Sequence, residues 1–284
     1  MARKPRIEYN GAIYHVIQRG NNREYIFEDS MHKGYLIKII RDIKDVMNFN
    51  IFAYVLMDNH YHLIVQTVDC ALSTLMHRIN NRYSKYYNYK SKRSGHVFEN
   101  RYKGILVQDK SYLLGLIRYI HYNPVRAHMC SKVADYKWSS DVFYRRNMKN
   151  IVDIEFALDM LSPDRIAAIR KYIELMDGID EMSSEEIGKA EAIGDEQFKE
   201  NIAQIPVFKA PPLESILLEV CGCEKVAQMI KGGSRKRSLT RFKIDYILRA
   251  KEHGYSYHQI GSGIGVTASA VMNILERNNI TYMG

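Results

Sequence analysis

The sequence predicts an α+β protein in which a sheet domain is followed by an acidic helical stretch and an all-α tail. Three observations carry that expectation: a β-α-β-β-α-β-α succession of hydrophobic periods ahead of Pro124, a reversal of charge in the middle of the chain, and a tail whose aliphatic residues repeat at helical spacing around a glycine turn.

The stretch "AIYHVIQRG" (12–20) alternates, is rich in β-branched and aromatic residues, and reads as a strand ending at Gly20. Leu36, Ile39, Ile40, Ile43 and Met47 then fall on one helical stripe. "IFAYVLM" (51–57) and "HLIVQT" (62–67) are apolar runs on either side of "DNHY", a β-hairpin whose turn carries Asp58 and Asn59. A second helix places Leu72, Leu75, Met76, Ile79 and Tyr83 on one face, "GILVQ" (104–108) is a fourth strand, and Leu113, Leu116, Ile117 and Ile120 mark a third helix that should end near Pro124. The first six elements are the order of a ferredoxin-like split βαβ fold, a four-stranded antiparallel sheet with helices on one face.

Charge divides the 284 residues further. Residues 1–150 carry 25 Lys+Arg against 12 Asp+Glu, residues 151–210 carry 6 against 14, and residues 211–284 carry 10 against 6, which together make the +9 of the whole chain. Two basic blocks flank an acidic helical connector, and the tail begins after the proline-containing "IPVFKAPP" segment. Clustered Lys and Arg gain free energy by releasing counterions from nucleic acid, so DNA or RNA is the partner class this distribution favours. The domains expected are 1–150, 151–210 and 211–284.

Cys70, Cys130, Cys221 and Cys223 include one C-x-C pair with no second pair to complete a zinc site. "MARKPRIEYN" lacks the apolar segment of a signal peptide, and no run has the length of a membrane span. A reduced, cytoplasmic protein without membrane partners is the expectation.

Two patterns bear on chemistry. His60 and His62 are two apart on a strand and point to one face, where two neutral imidazoles suit a divalent ion that takes a third protein ligand; the same H-x-H also suits packed or exposed histidines. In "RYIHYNPVRA" (118–127), Tyr119 and Asn123 are one helical turn apart. A tyrosine hydroxyl can attack phosphorus and an amide carbonyl can bind a metal, although any one of the 21 tyrosines is as readily a packing residue.

In order and spacing, "GAIYHVIQRGNNR" (11–23), "MDNHYHLIV" (57–65), "SGHVFENRYKGILV" (94–107) and "YIHYNPVRA" (119–127) resemble the motifs of the single-tyrosine HUH transposases, most closely the REP-associated tyrosine transposases. The resemblance covers residues 5–145. It implies that His60, His62 and Asn123 hold Mg²⁺ or Mn²⁺, that Tyr119 is the nucleophile, and that single-stranded hairpin DNA is cleaved with the 5′ phosphate kept on tyrosine and a 3′ hydroxyl released. Arg19, Arg101, Lys103, Arg118 and Arg126 lie near the motifs and suit DNA phosphates, or a solvated basic surface. The sequence departs from the family pattern at Tyr61, where an aliphatic residue is usual, at Asp58, where proline is frequent, and at Glu99, where many relatives have glutamine. Tyr112 and Tyr122 are rival nucleophiles without an amide four residues on. Relatives include monomers and dimers, so a homodimer is a further expectation to test.

In "HQIGSGIGVTASAVMNILER" (258–277), a small Gly261, a turn at Gly265 and the aliphatics Ile260, Ile264, Val266, Val271 and Ile274 fit a helix-turn-helix, and equally a plain helical hairpin. The motif would offer Thr267, Ser269 and Asn273 to duplex DNA, with Arg235, Lys236 and Arg237 upstream on phosphates. Residues 213–277 are similar in layout to the DNA-binding domain of the chromosomal replication initiator DnaA. The function expected is therefore a metal-dependent DNA strand transferase with a second DNA-binding domain. A non-catalytic DNA-binding regulator is the alternative, and a replication or conjugation initiator of the HUH type stands third.

Overall fold

A computed structural model describes residues 7–68, 70–178, 190, 192–201, 211–234 and 236–278. By its internal contacts the chain forms two compact units, one of residues 1–69 and 75–207, the other of residues 70–74 and 208–284.

The first unit is built on β1 (Ile13–Arg19), β2 (Phe49–Leu56), β3 (His60–Thr67) and β4 (Lys103–Val107), joined through α1 (Ser30–Lys44) and α2 (Leu72–Lys90). The sheet order is β2-β3-β1-β4 with every one of these pairs antiparallel, which is the split βαβ topology. A two-residue strand, β5 (Ala192–Ile193), pairs parallel to β4 and makes the sheet five-stranded rather than four-stranded. So short a strand carries no periodicity to read.

Local chemistry explains each element. Asp29 caps α1 by accepting from the Met31 N–H at 2.6 Å, and Leu36, Ile39, Ile40 and Ile43 are buried along its inner stripe. Each such side chain contributes about 2 kcal/mol of apolar burial. The β2–β3 turn closes where the Met57 N–H donates to the His60 carbonyl at 2.8 Å. Asp58 in that turn forms an ion pair of 2.6 Å with the buried Lys33 of α1, which ties the hairpin tip to the helix. α1 and α2 lie side by side on one face of the sheet, joined by a Tyr35–Tyr86 stack and an Arg82–Asp42 ion pair.

The opposite face carries α3 (Leu113–Arg126), so helices flank both sides. α3 runs through Pro124 instead of stopping before it. Proline removes the donor that the Ile120 carbonyl would receive, and the Asn123 side-chain amide takes its place at 3.2 Å. His121 anchors the same helix. It is fully buried and bonds through Nε2 to the Ser140 hydroxyl (2.8 Å) and through Nδ1 to the Tyr172 hydroxyl (2.9 Å), which itself donates to Asp141 just inside α4 (Asp141–Arg145). Tyr172 belongs to α6 (Arg165–Asp177), which packs with α5 (Ile154–Leu161). Asp153 joins this acidic region to the sheet by accepting from the Ile51 N–H at 2.8 Å and pairing with Lys44. α7 (Glu196–Asn201) follows β5. The rest of the expected connector, residues 179–189, 191 and 202–210, lies outside the described residues.

The second unit comprises α8 (Leu213–Cys221), α9 (Glu224–Lys231), α10 (Thr240–Glu252), α11 (Tyr257–Gly263) and α12 (Ala268–Glu276) around a core that includes Ile216, Leu217, Tyr246, Ile247, Ile260, Ile264, Val271 and Leu275. Ser256 and Gln259 form a capping box at α11, and the Thr267 hydroxyl caps α12 by accepting from the Ala270 N–H at 3.2 Å. The turn between them needs its glycines. Gly265 sits at φ +67°, and a Cβ on Gly261 would come within 2.5 Å of the Val266 carbonyl oxygen.

Candidate active site

Residues directly opposite on antiparallel strands share a face of the sheet. The β1–β3 register sets Arg19 against His60, Ile17 against His62 and His15 against Ile64, so His15, His60 and His62 occupy one face together. Tyr61 points to the other face, where its hydroxyl donates to Asn80 at 2.8 Å. The aromatic departure at this position is therefore part of the core beneath α2.

α3 brings Tyr119 to the histidine face. The residue is 4% exposed, and its ring stands edge-on to His15 and His62, with centroids 5.8 and 6.4 Å away. The Arg126 guanidinium lies over the Tyr119 ring at 4.7 Å and donates to the Tyr119 carbonyl at 3.2 Å. The rival Tyr122 bonds through its hydroxyl to the carbonyls of Met176 (2.8 Å) and Gly178 (2.6 Å), a structural commitment at the end of α6.

The histidines are held by their Nδ1 atoms. His60 Nδ1 donates to Asn59 Oδ1 at 2.6 Å, and His62 Nδ1 is hydrogen-bonded to His15 Nε2 at 2.8 Å. Both Nε2 atoms are left without hydrogen-bond partners among the described residues, so each imidazole presents the nitrogen a metal would use. Burial lowers the pKa of all three rings. It takes His15 to about 3, helped by the Lys103 charge, and His60 to about 4, with Arg19 adding to the effect and Asp58 opposing it. His62 lies well below the ordinary histidine value, first through burial and then through its two histidine neighbours and Arg19. Neutral imidazoles are the form that binds a metal.

Among the described residues no three His, Cys, Asp or Glu side chains form a metal-binding cluster. The Asn123 Nδ2 donates to the carbonyls of Tyr119 (3.3 Å) and Ile120 (3.2 Å), an orientation that leaves Oδ1 as the atom able to accept or to ligate. By donor chemistry, two imidazoles and an amide oxygen would suit a divalent ion with open positions for water or phosphate.

The other basic residues divide between several places. Arg19, Arg101 and Lys103 line a pocket of about 260 Å³ with Glu99 and Asn100. Arg118 lies over the Tyr122 ring at 5.3 Å. In the second unit, Lys236, Arg237, Arg241 and Arg277 line a cleft of about 900 Å³ with Asn273. Thr267 and Ser269 are exposed but do not line that cleft, and the Thr267 hydroxyl is engaged as the α12 cap. Arg235 lies outside the described residues.

His15 was not singled out from the sequence. Its period-two position in β1 was legible, but its place beside His62 depends on β1 pairing with β3, which a single sequence does not state.

The first unit thus sets a histidine pair on one face of a split βαβ sheet against a tyrosine carried by α3. Residues 8–123 match the family described as transposase IS200 like. The match spans His60, His62, Tyr119 and Asn123. A solved structure of a REP-associated tyrosine transposase bound to a REP hairpin is similar at 18% identity over 54% of this chain and 93% of that one, with a TM-score of 0.43. A search of curated proteins found no match.

Proposed function

We propose that this chain is a metal-dependent endonuclease and strand transferase that binds, cleaves and rejoins single-stranded DNA at hairpin elements through a 5′-phosphotyrosine at Tyr119. The observation that carries the reading is the placement of the Tyr119 ring against the face that bears His62 and His15, within the segment that matches the IS200-like transposase family.

His60 and His62 through Nε2 and Asn123 through Oδ1 would hold Mg²⁺ or Mn²⁺, which supplies Lewis-acid polarisation of the scissile phosphate. Tyr119 Oη attacks phosphorus and loses its proton, the bond from phosphorus to the 3′ oxygen breaks, and that oxygen is protonated to a free 3′ hydroxyl. The new tyrosyl phosphodiester keeps the bond energy, so a 3′ hydroxyl can reverse the step or join a different strand. Arg126 holds the Tyr119 ring from the side, while Arg19, Arg101 and Lys103 suit DNA phosphates around their pocket.

In the second unit, the α11–α12 pair reads as a helix-turn-helix and the cleft lined by Lys236, Arg237, Arg241 and Arg277 as its duplex-DNA phosphate contact.

The test is a denaturing gel of the full chain mixed with labelled hairpin oligonucleotides from the DNA flanking its gene, with Mn²⁺ or chelator. A metal-dependent covalent adduct that Tyr119→Phe abolishes is the expected result. Tight hairpin binding without an adduct would favour the non-catalytic regulator instead.

A further inference from the structure

We propose that His15 is a positioning residue of the metal site, whose Nε2 accepts the Nδ1 proton of His62 and thereby fixes His62 in the tautomer that presents a bare Nε2 to the metal. The proposal rests on the reading of His60 and His62 as metal ligands.

Four observations support it. The bond between the two rings is short, 2.8 Å, and both residues are buried, so water does not compete for it. The rings are nearly parallel, with an interplanar angle of 18° and centroids 5.1 Å apart, so the contact restrains ring orientation as well as the proton. The His15 ring also meets the Tyr119 ring edge-on, so one side chain contacts both the proposed ligand and the proposed nucleophile. Finally, packing alone gives no reason for an imidazole at this place. His15 is 0% exposed, and among the described residues its buried Nδ1 has no hydrogen-bond partner whichever way the His15–His62 proton lies. An unpartnered buried polar atom is a cost to the fold that an aliphatic or phenyl side chain would avoid.

The logic of the tautomer is direct. A neutral imidazole carries one N–H, and a metal binds the other nitrogen. His60 is set by Asn59, whose Oδ1 can only accept, so the His60 proton is on Nδ1 and its Nε2 is bare. Among the described residues, the hydrogen bond at His62 Nδ1 is to His15 and not to a carboxylate or carbonyl. If His15 accepts, the two proposed ligands present the same nitrogen. If His15 donates, His62 Nε2 carries the proton and must shed it before binding. The Asn59–His60 and His15–His62 pairs are thus two supports of one kind, each orienting a ligand through its far nitrogen.

The experiment has two readings on the full-length chain. Long-range ¹H–¹⁵N spectra of histidine-labelled protein without metal report the tautomer of His62, and the expected signal is protonated Nδ1. Titration with Mn²⁺ alone, followed calorimetrically without DNA, then compares wild type, His15→Phe, His15→Gln and His62→Ala. His15→Phe keeps a ring against Tyr119 but has no acceptor, and Mn²⁺ affinity should fall about 10- to 100-fold while the thermal midpoint holds or rises. His15→Gln restores an acceptor and should recover part of the loss, which a purely packing role would not produce. Wild-type affinity in folded His15→Phe, while His62→Ala loses binding, would overturn the positioning role alone, as would an Nε2-protonated His62 in wild type. Absence of Mn²⁺ binding by wild type would overturn the metal-site reading and this inference with it.

Discussion

The side-chain amide of Asn123 donates to the Ile120 carbonyl at 3.2 Å, taking up the acceptor that Pro124 leaves without a backbone donor. One residue therefore closes a gap in the tyrosine helix and, in the proposed site, turns its Oδ1 to the metal. Substitutions can separate the two roles. Asn123→Ala should lose both, and Asn123→Asp should lose the donor but keep a ligating oxygen. Both variants should be about 1 kcal/mol less stable than wild type in denaturant melts, with Mn²⁺ affinity strongly reduced in Asn123→Ala only.

Asp58 stands where proline is frequent among the relatives this chain resembles, and the structure supplies a reason in its ion pair with Lys33. The Lys33 side chain is 5% exposed and that of Asp58 35%. Asp58→Asn leaves a buried ammonium without its counter-charge and should cost about 2 kcal/mol, less than for a fully enclosed pair because Asp58 is partly solvated. Combining it with Lys33→Met should recover most of that stability in the same melts.

Burial lowers the His121 pKa to about 4, against the opposing pull of Asp141. In the unfolded chain this imidazole takes up a proton below its ordinary value near 6.5, whereas in the folded protein it stays neutral until about pH 4. Its contribution is present in full above pH 6.5 and is lost as the pH falls toward 4. The slope of unfolding free energy against pH in that window should drop by up to about 1.4 kcal/mol per pH unit in His121→Gln, measured by urea melts from pH 7 to pH 4.

If the cleft of the second unit binds duplex phosphates, neutralising it should act through counterion release. The Lys236→Ala, Arg237→Ala and Arg241→Ala triple variant should lower the slope of log affinity against log salt by about one for each charge removed, read by fluorescence anisotropy with duplex DNA. An unchanged slope would place the contacts elsewhere.

The sheet was legible where its signal is local. Alternation marked β1, apolar runs marked β2 and β3, the Asp58–Asn59 turn followed from residues that favour turns, and the stripe of Leu36, Ile39, Ile40 and Ile43 gave α1 away. What sequence reading missed depends on pairing between distant segments. β5 is two residues long and exists because β4 has an edge to offer it. The end of α3 expected near Pro124 falls at Arg126, and what the sequence does not state is how the Asn123 amide fills the gap that proline leaves inside the helix. The candidate site divides in the same way: His60, His62, Tyr119 and Asn123 follow from short spacing and motif order, whereas His15 needs the β1–β3 register, and the Asp58–Lys33 pair needs the fold of α1 onto the hairpin.

The most direct measurement is to map the covalent adduct by mass spectrometry after the full chain has reacted with a hairpin oligonucleotide in Mn²⁺. The account predicts a single modified peptide in which Tyr119 carries a 5′-phosphonucleotide, absent with chelator. A nucleotide on Tyr112 or Tyr122, or a cleaved strand with no protein-linked phosphate, would contradict it.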